Sequence, residues 1–148
     1  MRAMRCLFFC LCVWMLLPAA NLFAASVCHL QGCMDVEVVS DSLDMARGLM
    51  GREGLGKDKG MLFLFSHNAK HHMWMKNMKF AIDVIWLSKE GAIISFLEQV
   101  PHCKEDPCPV YIPDGESRYV LEVSAGYAKA HGWKNGTRLM LKGLEAKK

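Results

Sequence analysis

The stretch Ala81-Ile82-Asp83-Val84-Ile85-Trp86-Leu87, the turn Ser88-Lys89-Glu90-Gly91, and then Ala92-Ile93-Ile94-Ser95-Phe96-Leu97-Glu98-Gln99-Val100 decide the fold. Two runs rich in β-branched and aromatic residues flank a polar turn that ends in glycine, which is the pattern of a β-hairpin. Outward from it the same kind of unit recurs. Short apolar runs stand at Met61–Phe65, Met73–Met75, Tyr119–Val123 and Thr137–Leu141. Asp35-Val36-Glu37-Val38-Val39 alternates in polarity and reads as a further strand. Helical signals are confined to two places. Ser40-Asp41-Ser42 offers N-cap residues before Leu43–Met50, with Gly51 as the stop, and Ser124–Gly132 is short and Ala-rich. Pro101–Ser117 is a Pro-rich loop. About seven strands at this spacing predict one β-rich α+β domain, an antiparallel sandwich or partly closed barrel with one or two short helices.

The 148 residues, 52% hydrophobic, with seven cysteines and a formal charge of +3, are a composite of two materials. Arg2 and Arg5 precede an apolar run from Cys6 to Leu17, and Pro18 with small residues at Ala19, Ala20, Ala24, Ala25 and Ser26 follows. That order predicts a cleaved signal peptide over 1–25 and hence a periplasmic or secreted protein. A membrane anchor is the alternative, but Pro18 and Asn21 interrupt the apolar stretch and no Lys or Arg follows closely. Removing this segment leaves 16 basic against 15 acidic residues, a net charge of +1. The apolar fraction falls to about 46%, ordinary for a globular domain. Residues 26–34 then form a short N-terminal segment, 35–143 the single domain, and 144–148 a basic tail. A charge this near neutral disfavours nucleic acid as a partner, and no stable membrane insertion is expected after cleavage.

Three of the seven cysteines leave with the leader, and Cys28, Cys33, Cys103 and Cys108 remain. An even count in an oxidising compartment reads as disulfides. Three pairings are open, and the Pro and Asp content of Cys103-Lys104-Glu105-Asp106-Pro107-Cys108 suits a self-closing turn. A four-cysteine zinc site is the rival reading, disfavoured because exported thiols are oxidised.

Few residues announce chemistry. Gly51-Arg52-Glu53-Gly54-Leu55-Gly56-Lys57-Asp58 approaches a phosphate-binding loop, but Asp58 stands where a hydroxyl would hold magnesium, and the segment follows a helix. It reads as a Gly-rich turn. His71, Met73 and Met75 alternate, so in a strand they share one face and form a soft set suited to Cu(I), if the strand bends or a neighbour adds a ligand. The rival is that both methionines fill the core. Asp83 lies in a run apolar on both faces, so its carboxylate is expected to be partly buried with Arg52, Lys76 or the Asn77 amide as partner, either as a polar pin that orders the neighbouring loop or as a ligand-binding or catalytic group. Glu122, between Leu121 and Val123, raises the same question more weakly, since it suits a solvent-facing position equally well.

Several of these segments in order resemble the domain of unknown function 192 family. They are Gly48-Leu49-Met50-Gly51-Arg52, Gly60-Met61-Leu62-Phe63-Leu64-Phe65, Trp74-Met75-Lys76-Asn77, Ile82-Asp83-Val84, and Tyr119-Val120-Leu121-Glu122-Val123 with Gly126. The resemblance spans Val36 to Leu141, and the loop Cys103–Pro109 is similar to one that some members carry. Met73, Met78 and Ala81-Ile82 depart from the family pattern, which often has Phe, Thr and Pro-Leu there. The resemblance implies a compact, mainly β, often exported domain, and no particular activity. Its recurrent polar positions fall on Arg52, Lys76, Asn77, Asp83 and Glu122, with Trp74 beside them.

The leading expectation is an exported, non-catalytic β domain of the cell envelope. It binds an unidentified small molecule or envelope protein through Arg52, Trp74, Lys76, Asn77, Asp83 and Glu122, with no cofactor. The second is an envelope copper-binding protein using His71, Met73 and Met75. The third is a carboxylate-dependent hydrolase or sugar-active enzyme, which requires Asp83 and Glu122 to face each other across a cleft.

Overall fold

The computed structural model describes residues 25–144. The predicted leader, apart from Ala25, and the predicted basic tail beyond Leu144 lie outside the described residues. In chain order the elements are β1 (Ser26–His29), β2 (Gly32–Val39), α1 (Ser42–Arg47), β3 (Lys59–Ala69), β4 (Met73–Trp74), β5 (Ile82–Leu87), β6 (Ile93–Val100), β7 (Val110–Tyr111), β8 (Ser117–Ser124), α2 (Tyr127–Ala130) and β9 (Met140–Lys142).

The decisive hairpin is β5–β6, and β5 lies inside a seven-stranded sheet of order β6-β5-β8-β3-β2-β1-β9. β4 and β7 form a separate two-stranded ribbon. The β-rich architecture agrees with the sequence, with one departure from an antiparallel arrangement. β2 and β3 are parallel, Asp35 facing Lys59 and Val39 facing Phe63, because α1 returns the chain to the starting end of β2 before β3 begins. The sheet is not closed. A single bridge between Ala92 and Arg138 draws its two edges together at one end. Residues 26–34 belong to this sheet, since β1 pairs with both β2 and β9.

Both faces of the sheet are buried at β5, which explains why β5, Asp83 apart, reads as apolar on both faces and has no exposed position. One face carries Met34, Val36, Leu62, Ile85, Leu87, Leu121 and Val123 against Ala128 of α2, Trp133 and Leu139. The other carries Met61, Phe63, Ile82, Val84, Trp86 and Val120 against Leu49, Met75 and Met78. The Trp86 indole N–H donates to the His71 carbonyl at 2.7 Å, which fastens the chain after β3 over this second core.

The first helix is shorter than the spacing suggests. Asp41 caps it, accepting from the Leu43 and Asp44 amides at 3.1 and 2.9 Å. It stops at Gly48 and not at Gly51. Gly48 has φ +48°, and a Cβ there would sit 3.2 Å from Cζ of Phe63. Only glycine satisfies both the left-handed turn and the close approach of the helix to β3. The second helix contracts to four residues, Tyr127–Ala130, behind the left-handed Gly126. Both cysteine pairs close locally, Cys28 with Cys33 across the β1–β2 hairpin and Cys103 with Cys108 within one loop.

Asp83 is fully buried, and its partners differ from those expected. Its carboxylate accepts three backbone hydrogen bonds, from Gln99 N at 2.8 Å, Gly126 N at 2.9 Å and Ala128 N at 2.9 Å. Arg52, Lys76 and Asn77 are not among its partners. The register shift in β6 opposite Asp83 leaves Gln99 at φ +51°, its amide turned onto the carboxylate, while Gly126 and Ala128 present the free amides of the start of α2. Asp83→Ala strands three buried donors, and we expect a loss of about 3–5 kcal/mol of unfolding free energy. Urea denaturation monitored by circular dichroism checks this, and a midpoint within error of wild type contradicts it.

Candidate functional site

On the face opposite Asp83, α1 and the turn after it stand over β3, β8 and β4 and leave a cavity of about 250 Å³. Met45, Met50, Met73 and Met78 line it together with Phe63, Phe65 and Trp74, and Glu122 closes it below. Thioether and aromatic walls of this kind are apolar and adaptable in shape. Arg47, His72 and Lys76 add polar groups to the lining.

Glu122 sits in the middle of β8, level with Met61 of β3 and Val84 of β5. It is 4% exposed, and its Oε2 has no hydrogen-bond partner. Burial pushes its carboxyl up to about 8, and the positive charge of Arg52 only partly opposes that shift. At neutral pH the group is therefore a carboxylic acid, with a proton to donate. Arg52 cannot hold it ionised because Arg52 is committed elsewhere. Its guanidinium donates to both oxygens of Glu37 at 2.8 and 3.0 Å, which in turn lowers the Glu37 carboxyl below its ordinary range.

The structure separates the six predicted ligand residues. Trp74, Lys76 and Glu122 line the cavity. Arg52 lies in a neighbouring cleft with Glu37 and Gly60. Asn77 contributes backbone geometry. It takes φ +56°, its carbonyl accepts from Gly51 N at 3.0 Å, and its amide reaches Met50 Sδ at 3.9 Å. It thus ties the exit of α1 to the turn after β4, the two walls of the cavity. Lys76 pairs with Asp106 at 3.1 Å, and Cys103 N donates to the Met75 carbonyl at 3.1 Å, so the 103–108 disulfide loop supports the same turn.

Asp83 and Glu122 do not meet. Asp83 is level with Val123, and Glu122 with Val84, so the two carboxyls point to opposite faces of the sheet. The cleft required by a paired-carboxylate hydrolase is absent here. The copper set is also dispersed. β4 is only two residues long, too short to align residues 71, 73 and 75 on one face. His71 stacks on Phe65 at 3.5 Å with its Nε2 near the His67 carbonyl, Met75 is 1% exposed in the core, and only Met73 lines the cavity. Among the described residues no group of three or more His, Cys, Asp or Glu side chains is placed to hold a metal ion. Sequence reading did not single out Met45, Met50, Phe63 or Met78 as site residues. The signal available was the methionine content, 11 in the chain.

Residues 26–141 match the DUF192 family, described as "Uncharacterized ACR". The chain belongs to this family. Two solved structures share the DUF192 fold seen here. One is a "putative transcription regulator" from Sinorhizobium meliloti 1021, 31% identical, covering 81% of this chain and 93% of its own, with a TM-score of 0.71. The other is a protein of unknown function from Novosphingobium aromaticivorans DSM 12444, 25% identical, covering 83% of this chain and 89% of its own, with a TM-score of 0.70. No curated protein matches. Among the described residues no helix is long and apolar enough to cross a membrane.

The protonation of Glu122 has a measurable consequence. Because its folded value of about 8 lies above the ordinary 4.5, folding takes up a proton between those two values. Its contribution to stability is full below the lower value and is lost progressively as pH rises to the upper one. Glu122→Gln, neutral throughout, is therefore expected to lose less stability than wild type across this window. The melting-temperature difference, variant minus wild type, should grow with pH and level off above about pH 8. A difference that stays flat across the window contradicts a neutral Glu122.

Proposed function

We propose that this DUF192 protein is a non-catalytic ligand-binding domain of the cell envelope, and that its ligand is a compact, mostly apolar molecule with a hydrogen-bond acceptor at its buried end. The observation that carries this reading is Glu122, a buried acid whose Oε2 lacks a partner, set at the base of a cavity walled by methionine and aromatic side chains. An unpaired buried polar group is costly, and a ligand acceptor that takes its proton offsets that cost. The volume, about 250 Å³, falls below the roughly 300–1,000 Å³ usual for drug-sized ligands, which favours a small one. Glu122 is the sole carboxyl among the described residues lining the cavity. A neutral acid without a second carboxyl beside it favours binding over turnover.

The leader-like segment and two disulfides support placement outside the cytoplasm. The description of the Sinorhizobium protein as a regulator finds little support in this chain. The two helices among the described residues are six and four residues long, too short to serve as recognition helices in a major groove.

Acetophenone and ethylbenzene are suitable probes, since they share an aromatic body and only the first has an acceptor. At pH 7 we expect acetophenone to bind about tenfold more tightly, with nuclear magnetic resonance shifts at Phe63 and Trp74. Glu122→Leu should erase the difference between the two. Equal affinities in the wild type, or no response at these residues, would falsify the reading.

A further inference from the structure

A second, larger cavity of about 820 Å³ opens where the β5–β6 turn meets β1 and β9. It exists because the two edges of the sheet converge there. Leu139 N donates to the Gly91 carbonyl at 2.8 Å, next to the Ala92–Arg138 bridge. Gly91 is required at this junction, since its φ is +78° and a Cβ would fall 2.2 Å from the Leu139 carbonyl oxygen. The inner walls are Tyr119, Leu139, Leu141 and Leu144, continuous with the core on the α2 face.

The rim has two unusual features. Leu30 and Met140 are large apolar residues exposed to 94% and 60%. Lys89, Glu90 and Arg138 also line the cavity, and among the described residues none of the three takes part in an ion pair. Apolar walls that run up to two cations and one acid, a rim of net positive charge, suit neither a wholly polar anion, which gains nothing from the leucines, nor a neutral hydrocarbon, which gains nothing from the charges. They match a molecule that carries both parts.

We propose that this cavity binds a single-chain amphiphilic anion, an acyl carboxylate of the fatty-acid class. Its chain lies along Leu139, Leu141 and Leu144, and its carboxylate lies at Lys89 and Arg138. The volume is within the roughly 300–1,000 Å³ range of small-molecule sites, and the mouth of a curled sheet is a common place for one. This site is separate from the Glu122 cavity and takes a different ligand class.

The test uses the mature chain with dodecanoate and 1-dodecanol, both below the concentrations at which they aggregate. Calorimetry gives the affinities, and amide shifts give the location. Dodecanoate should bind about tenfold or more tightly than the alcohol, with shifts at Leu30, Gly91 and 139–141. In the double variant Lys89→Ala, Arg138→Ala, which alters exposed side chains only, dodecanoate should fall to the level of the alcohol. Leu30→Glu, a change at a nearly fully exposed position, should weaken dodecanoate through like-charge repulsion. The proposal is overturned if dodecanoate does not bind, if the alcohol binds as well, if neither variant weakens it, or if the shifts are confined to Phe63 and Trp74. That last outcome would assign the fatty acid to the Glu122 cavity.

Discussion

The Asp83 carboxylate, with its three backbone donors, is the interaction on which the rest of the fold depends. It is a polar group with no exposure, on a strand covered on both sides. A buried polar group of this kind is tolerable only when its oxygens are hydrogen-bonded. The bonds come from Gln99 on the neighbouring strand and from Gly126 and Ala128 at the start of α2. They set the bulge in β6 and seat α2, whose Ala128 closes one core. One residue over on the adjacent strand, Glu122 meets the same environment without donors. It answers by keeping its proton, with a carboxyl pushed up to about 8. The two acids are treated differently because they face different sides. Asp83 faces the free amides of a helix start, and Glu122 faces thioethers and aromatic rings.

That division gives one face a backbone-bonded carboxyl and the other a cavity. The Asp83 face is tied down by backbone bonds. The Glu122 face is covered by α1 and by the turn after β4, and polar contacts join the two at their edge. They include the Gly51 N to Asn77 carbonyl bond, the Asn77 amide against the Met50 sulfur, and the exposed Lys79–Glu53 ion pair. The cover is therefore held at its edges, while the space under it is lined by flexible methionines. A cavity built this way can adjust to a ligand without moving the sheet beneath it.

The strands of the decisive hairpin were legible because their apolar runs are long and their turn is polar. β1 and β7 were not, because four- and two-residue strands carry little pattern of their own and are stabilised by their neighbours. The parallel β2–β3 pair follows from where α1 delivers the chain, which periodicity does not encode. Asp83 could be identified as buried from its apolar flanks. Its partners could not be named, because they are main-chain amides 16, 43 and 45 positions away, and any residue but proline supplies one. Glu122 was ambiguous for a related reason. Alternation in β8 fits a solvated face as well as a buried one, and only the cover formed by α1 decides between them. The methionines of the cavity looked like ordinary core until their strands and helix were placed together.

The disulfides connect this architecture to its surroundings. Cys28–Cys33 closes the β1–β2 hairpin, and Cys28 lines the larger cavity. Cys103–Cys108 closes the loop that supports the smaller one, through Lys76 with Asp106 and Cys103 N with the Met75 carbonyl. Neither crosslink spans the cores, which already hold most of the buried apolar surface. A crosslink over so short a loop contributes only about 2 kcal/mol in the chain-entropy description. Their effect is local, on the β1–β2 hairpin and on the 103–108 loop. Oxidation thus fixes two local segments at the edges of the cavities, the β1–β2 hairpin of the sheet and the 103–108 loop, while the two cores pack without a crosslink between them.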